Sequence, residues 1–242
     1  MYKADIGRYA KENLAHSKVW VGKAPVTQCV SACNAHLNSE ITNNDGSTSK
    51  YYMKVDKEAL DSAKHKLNQI LQEALDDYII SKTEAEAMDP RDKGPGKFYC
   101  TFKVHKEHKH MEVPPESPII SGCGSAFENV SKFINHHIQD ISTNHPTYIQ
   151  DTPDLLRYLE QINSEGLLPP EALLATFDVI GLFTNIPHED GIDATREALE
   201  EKDKKEIPNE FLLRLLQLIL ENNIFEFDED LWKQLIGAPM GS

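Results

Sequence analysis

Asp178 is the residue whose surroundings most narrow the chemistry open to it. It lies near the end of ALLATFDVI, a short apolar run bounded upstream by a proline pair and downstream by Gly181, which predicts a buried strand. A carboxylate at the end of such a strand must be paired, hydrated or bound to a cation, because an isolated buried charge is too costly to keep. Acids that serve a function gather at strand ends beside clefts. The plainer reading is a cap or loop acid.

Two further groups invite the same question. Between Lys97 and His110 stand Lys97, Lys103, Lys106 and Lys109 with His105, His108, His110 and one acid. Such a strip neutralises phosphate locally, although the same lysines also suit a solvated turn, and the histidines alternate with lysine and glutamate as they would in a solvated loop. Cys29, Cys33 and His36 have the look of half a zinc site, yet no matching second pair follows at a usual spacing. With Cys100 and Cys123 they make four cysteines, too few and too unevenly spaced for a disulfide framework, so buried or half-buried thiols in a reducing compartment are expected.

The elements that would position these groups follow from periodicity and punctuation. Residues 1–50 are weakly patterned and contain the polar stretch SEITNNDGSTSK, read as a loop. From Asp56 to Ile80, apolar residues from Leu60 to Ile79 recur at three and four, one buried face of an amphipathic helix. MDPRDKGPGK breaks the chain. KFYCTFKVHK and ESPIISG then read as two strands of a hairpin whose loop carries the lysines and histidines.

After Gly124, Phe127, Val130, Phe133, Ile134, Ile138 and Ile141 predict a helix, with His136 and His137 on its surface. Thr152 before Pro153 predicts a helix start, with Leu155, Leu156, Leu159 and Ile162 as its buried stripe. Pro208 and Asn209 open an apolar helix. NIFEF and LWKQLIG follow as two strands about an acidic turn.

Composition sets outer limits. At 242 residues and 40% hydrophobic the chain can bury a real core. No apolar run long enough to cross a membrane is present, and MYKADIGRYAKENLAH lacks a secretory h-region, so an intracellular, nuclear or cytoplasmic protein is expected. The formal charge of -14 weighs against nonspecific nucleic-acid binding by the whole chain, which leaves any such binding to the local basic strip.

Taken in order, several segments resemble the reverse transcriptases of Penelope-like retroelements. TFDVIGLFTNIPHEDG is similar to their first palm motif, where a strand delivers an aspartate followed five residues on by a bulky aromatic; here these are Asp178 and Phe183. FYCTFKVHK looks like their FYxLPKIHK segment, SPIISGCGSAFENVSKFINHHI like their RPIVS segment and following helix, and QLIGAPMGS like the start of GxAMGSPLSP. YYMKVD, the long helix and IISKTE resemble the region before the fingers, so residues 50–242 are covered.

The resemblance implies an α+β fold: reverse-transcriptase-like fingers and an incomplete palm, a small mainly antiparallel sheet with several helices. Its division would be 1–50 poorly defined, 51–90 a helical pre-fingers region, 91–168 fingers-like and 169–242 partial palm. It further implies that Asp178, with Val179 beside it, holds catalytic Mg²⁺, that Lys103 and Lys106 contact the nucleotide triphosphate, that Phe183 excludes a 2′-hydroxyl, and that Gly241 lets template or nucleotide approach the backbone. The partners implied are an RNA template, a DNA primer and deoxynucleoside triphosphates, with no membrane.

Departures from the pattern limit what carries over. Ser117 stands where the family has arginine before Pro-Ile, and it lacks that planar charged fork. Phe102 replaces the proline before the fingers lysine, and the usual upstream basic, glycine-containing segment is not recognisable. The family's second aspartate pair, in an aromatic-x-Asp-Asp hairpin, would lie beyond Ser242, and two-metal chemistry needs acids from separate strands. The chain alone is therefore expected to polymerise nothing. A noncatalytic scaffold for nucleic acid or protein, or a nonfunctional relic, are the competing expectations.

Overall fold

A computed structural model describes residues 26–42, 48–103, 116–166, 169, 171–173, 175–179, 181–202 and 206–240. Among them are helices α1 (Val26–Leu37), α2 (Lys57–Asp76), α3 (Lys82–Ala87), α4 (Glu128–Thr143), α5 (Thr152–Ser164), α6 (Leu182–Asn185), α7 (His188–Glu200) and α8 (Asn209–Glu221). The strands are β1 (Glu40–Thr42), β2 (Thr48–Lys50), β3 (Tyr52–Val55), β4 (Gly96–Phe102), β5 (Glu116–Ser121), β6 (Ile224–Phe227) and β7 (Asp230–Gln234). β1 and β2 form a separate ribbon, and the other five make an open mixed sheet in the order β3-β7-β6-β4-β5.

The long helix starts where its chemistry says it should. The Asp56 carboxylate accepts from the Ala59 N–H, satisfying one of the orphan donors of the first turn. It ends at Asp76, four residues before the expected limit, because Tyr78 takes φ 58° and swings out to 94% exposure. The hairpin between β6 and β7 turns on Asp228 and Glu229, both with positive φ, the geometry whose twist matches that of paired strands. Strands β4 and β5 pair antiparallel, Phe98 opposite Ile120 and Cys100 opposite Pro118. Their connecting loop, with Lys106, His105, His108 and His110, lies outside the described residues.

Alternation along the strands separates two cores. Tyr52, Phe98, Ile120, Phe225 and Trp232 form an aromatic layer covered by Cys33 and Leu37 of α1. Ile224, Val55 and Leu231, facing the other way, join α2, α4 and α8 through Leu67, Val130 and Leu215. The sheet is thus the middle of three layers. No helix among the described residues is long and apolar enough to cross a membrane.

The stretch SEITNNDGSTSK, expected as a loop, supplies the paired strands β1 and β2, and three further expectations require correction. The cap of α5 is Asp151, whose carboxylate accepts from the Asp154 N–H, one residue before Thr152. An aspartate in extended backbone makes that bond directly, which leaves Thr152 as the first helical residue. The expected buried stripe of α5 contains no fully buried residue: Leu155, Leu159 and Ile162 are half-buried, and Leu156 is 55% exposed. The third is the strand at ALLATFDVI: its described residues form none, and Leu173 and Phe177 are 94% and 96% exposed. Apolarity alone does not make a strand; it needs a ladder partner. The five strands pair with one another, and Met240 takes the ladder groups at the end of β5.

The aromatic layer carries a mismatch. Tyr52 is 1% exposed and Trp232 4%, and neither the Tyr52 hydroxyl nor the Trp232 indole N–H has a hydrogen-bond partner among the described residues. A buried polar atom left unsatisfied costs about 1–3 kcal/mol. Tyr52→Phe is therefore expected to raise stability by about 1 kcal/mol, read as a higher denaturant midpoint at unchanged slope. A fall in midpoint would show that the hydroxyl is satisfied.

Two histidines give the fold a pH dependence. Burial holds His36 and His137 below the ordinary value of 6.5; Glu116 opposes the shift at His36, and Glu206 and Glu84 oppose it at His137, where His136 and Lys202 reinforce it. Between the lowered value and 6.5 the unfolded chain binds more protons than the folded one. Their contribution is therefore complete above pH 6.5, declines as pH falls through the lowered values, and then levels off. Denaturation midpoints should drop across that window, and His36→Asn with His137→Asn should flatten the curve. The carboxylates of Glu84, Asp89, Glu128 and Asp140 are held below their ordinary values by hydrogen bonds, so their losses begin at more acid pH.

Candidate functional site

The segment after β7 is tied down at nearly every residue. Leu235 N–H donates to the Tyr51 carbonyl at 2.8 Å, Gly237 N–H to Ile186 at 2.9 Å, Ala238 N–H to Phe183 at 2.8 Å and Met240 N–H to Ile120 at 2.8 Å. The Gly122 N–H returns a bond to the Met240 carbonyl at 3.4 Å. The His188 ring donates from Nε2 to the Gly237 carbonyl at 2.9 Å, which fixes that nitrogen as protonated.

Gly237 makes this path possible. Its φ of 92° belongs to the region that favours glycine, and a Cβ there would run into the Phe183 carbonyl oxygen, lie 2.6 Å from Gln234 Nε2 and 2.9 Å from the Thr184 carbonyl carbon. Beneath it, Gln234 is 1% exposed: it accepts from Asn223 Nδ2 at 2.6 Å and donates to the Phe183 carbonyl at 3.4 Å. The facing turn is equally specific. Gly181 has φ 63°, and its carbonyl accepts from the Thr184 hydroxyl and from Asn185 Nδ2, each at 2.9 Å.

Three segments far apart in sequence therefore meet through backbone hydrogen bonds: SPIIS at the end of β5, FTNIPH around α6, and IGAPM after β7. Sequence reasoning singled out each one and missed the side chains that join them. Gln234 was legible in part, as a polar residue in the inward phase of a strand with Trp232. Asn223 and His188 gave no signal, because their partners come from distant positions.

The candidate residues are placed unequally. Phe183 lies in α6, 44% exposed, with its carbonyl inside the convergence. Lys103 is half-buried one residue past β4. Lys97 of the basic strip is engaged by Glu226 at 2.5 Å, and Ser117 sits opposite Thr101 in the hairpin. Lys106 and Gly241 lie outside the described residues.

Asp178 is exposed in irregular chain and Val179 is 64% exposed, so the acid is not the buried strand-end carboxylate that the apolar run suggested. Without a ladder partner the segment stays open to water, and a hydrated carboxylate needs no pairing. Among the described residues no group of three or more His, Cys, Asp or Glu could hold a metal ion. A magnesium pair needs oxygens from separate strands, and these residues do not form that donor set. Cys33 and His36 belong to no such group, and the side chain of Cys29 lies outside the described residues.

No protein-family model, curated protein or solved structure matches the chain.

Proposed function

We propose that this chain contains the fingers and the opening part of the palm of a retroelement reverse transcriptase of the Penelope-like kind, and that it does not polymerise by itself. The observation that carries the reading is the convergence just described: the three segments resembling the RPIVS, first-palm and GxAMGS motifs share one hydrogen-bonded neighbourhood. Separate motif resemblances of no common origin have no reason to meet in space. The hairpin that bears Lys103 leads directly into it, because β5 supplies Ile120 and Ser121.

On this reading the convergence is a floor for an incoming deoxynucleotide, with Phe183 against its sugar and lysines of the hairpin on its phosphates. Phosphoryl transfer asks a protein chiefly for such positioning and charge neutralisation. Magnesium belongs to the intact parent, with acids additional to Asp178 holding it, and RNA template and DNA primer are that parent's partners.

Titrating the chain with a deoxynucleoside triphosphate and Mg²⁺ while following backbone amides tests the floor. Shifts should concentrate at Ser121, Gly122, Phe183 and Met240. Shifts confined to the acidic helix α7, or none at millimolar nucleotide, would remove the support.

One observation favours a second reading as a noncatalytic scaffold. Helix α5 has no buried residue, and Tyr158 on it, 56% exposed, lines one pocket together with Tyr148 and Ile149, which are 43% and 46% exposed. Apolar surface gathered in this way is typical of protein contact faces. A scaffold would keep partner binding when Asp178 is replaced.

A further inference from the structure

Two surface hollows adjoin, since Pro146 lines both. The first, about 500 Å³, opens between the C-terminal ends of α4 and α7, where Asn144 and Glu201, the residues that close the two helices, form part of its wall. The second, about 430 Å³, is bounded by Tyr148, Ile149 and Tyr158, with Arg157 at its side. Together they form one groove, polar at one end and aromatic at the other. Ile141, half-buried in the first hollow, packs onto Leu199, Leu212 and Leu213, so that end rests on a fixed apolar core.

Charge decides what such a groove can hold. The carbonyl end of a helix carries about half a negative charge, and neither α4 nor α7 places a basic residue in its last turn. Two helix ends, Asp140 and Glu201 face Lys202 alone, which donates to the His137 carbonyl at 2.7 Å and to the Asp140 carboxylate at 3.1 Å. About two negative charges therefore remain unmatched at this end. In the aromatic hollow, Arg157 donates to the Asp154 carboxylate at 3.3 Å. The lysine and the arginine of the groove are thus both engaged by acids, which leaves neither for a phosphate backbone.

We propose that this groove docks a cationic segment of a partner protein. A lysine or arginine side chain of the partner reaches the paired helix ends, where Asp140 and Glu201 accept from it, and an adjoining apolar side chain enters the tyrosine-lined hollow. Tyrosines suit such an anchor because they give a large contact area with few side-chain torsions to freeze. The groove is separate from the nucleotide floor. His188, which holds Gly237, is the first residue of α7, and Glu201 closes the far end of that helix, about 20 Å away along its axis. Docking there goes beyond the polymerase reading and does not depend on it.

The test is fluorescence anisotropy of a labelled peptide of alternating arginine and leucine mixed with the full chain, together with backbone amide shifts. The peptide should bind, with shifts gathered at Ile141, Asn144, Ile149 and Ala198, and a peptide of alternating glutamate and leucine should not. Tyr158→Ala and Glu201→Lys should each weaken binding at least about tenfold. Both positions are exposed, so neither change removes core packing. Glu189→Lys, the same charge change at the exposed start of α7, should weaken it by less than about threefold. Equal weakening by the two lysine substitutions would reduce the binding to net charge and overturn the proposal. Equal binding of the glutamate peptide, displacement by a single-stranded oligodeoxynucleotide, or no binding at millimolar peptide would overturn it too. So would self-association of the chain that Tyr158→Ala abolishes, which would give the groove to a second copy.

Discussion

Replacing Gly237 by alanine should cost the folded chain about 3 kcal/mol or more. The left-handed φ alone disfavours a side chain by about 1–2 kcal/mol, and here the new methyl would also run into the Phe183 carbonyl. Relief requires the strap to move, which breaks the Gly237-to-Ile186 and Ala238-to-Phe183 hydrogen bonds at about 1 kcal/mol each. The Gln234 side chain, aimed at the same carbonyl, would lose one of its partners while buried. The effect should be local as well as global: amide exchange at Ala238 and Met240 should accelerate beyond that at Leu67 in α2. An unchanged melting temperature with unchanged protection at Ala238 would show that these segments do not converge as described.

Asp178→Asn should do the reverse. Its side chain is exposed in irregular chain, and surface replacements of that kind move stability by no more than about 0.5 kcal/mol. Yet in a polypeptide that joins this chain to an aromatic-x-Asp-Asp hairpin, the same change should reduce deoxynucleotide incorporation on the order of a thousandfold, since metal-borne charge stabilisation in transfer reactions is worth several kcal/mol. Loss of activity without loss of stability is the mark of a residue kept for chemistry. The opposite pattern, unfolding with Asp178→Asn, would mark the acid as structural.

The fold was legible where periodicity and punctuation agree with packing. Helix α2 announced itself through Leu60, Ala63, Leu67, Leu71 and Ala74, all of which are buried, and the β6–β7 hairpin through its acidic turn, whereas the paired strands β1 and β2 lie in a stretch that reads as a loop. It was illegible where apolar composition lacks a partner. Leu173 and Phe177 read as core residues and lie in solvent; Leu156 reads as a buried helix face and is exposed. Local sequence states what a segment would bury, and only tertiary placement supplies the surface to bury it against.

The candidate site divides in the same way. Motif order drew attention to SPIIS, FTNIPH and IGAPM, but nothing in single-sequence spacing reveals that Met240 pairs beside Ile120 or that His188 holds Gly237. Those contacts span from 49 residues for the histidine to more than a hundred for the methionine.

Primer extension on an RNA template bears most directly on the central claim. The polypeptide joining this chain to an aromatic-x-Asp-Asp hairpin should add deoxynucleotides to a DNA primer with Mg²⁺, and its Asp178→Asn form should add essentially none. Extension that proceeds equally well with asparagine at 178 would contradict the assignment.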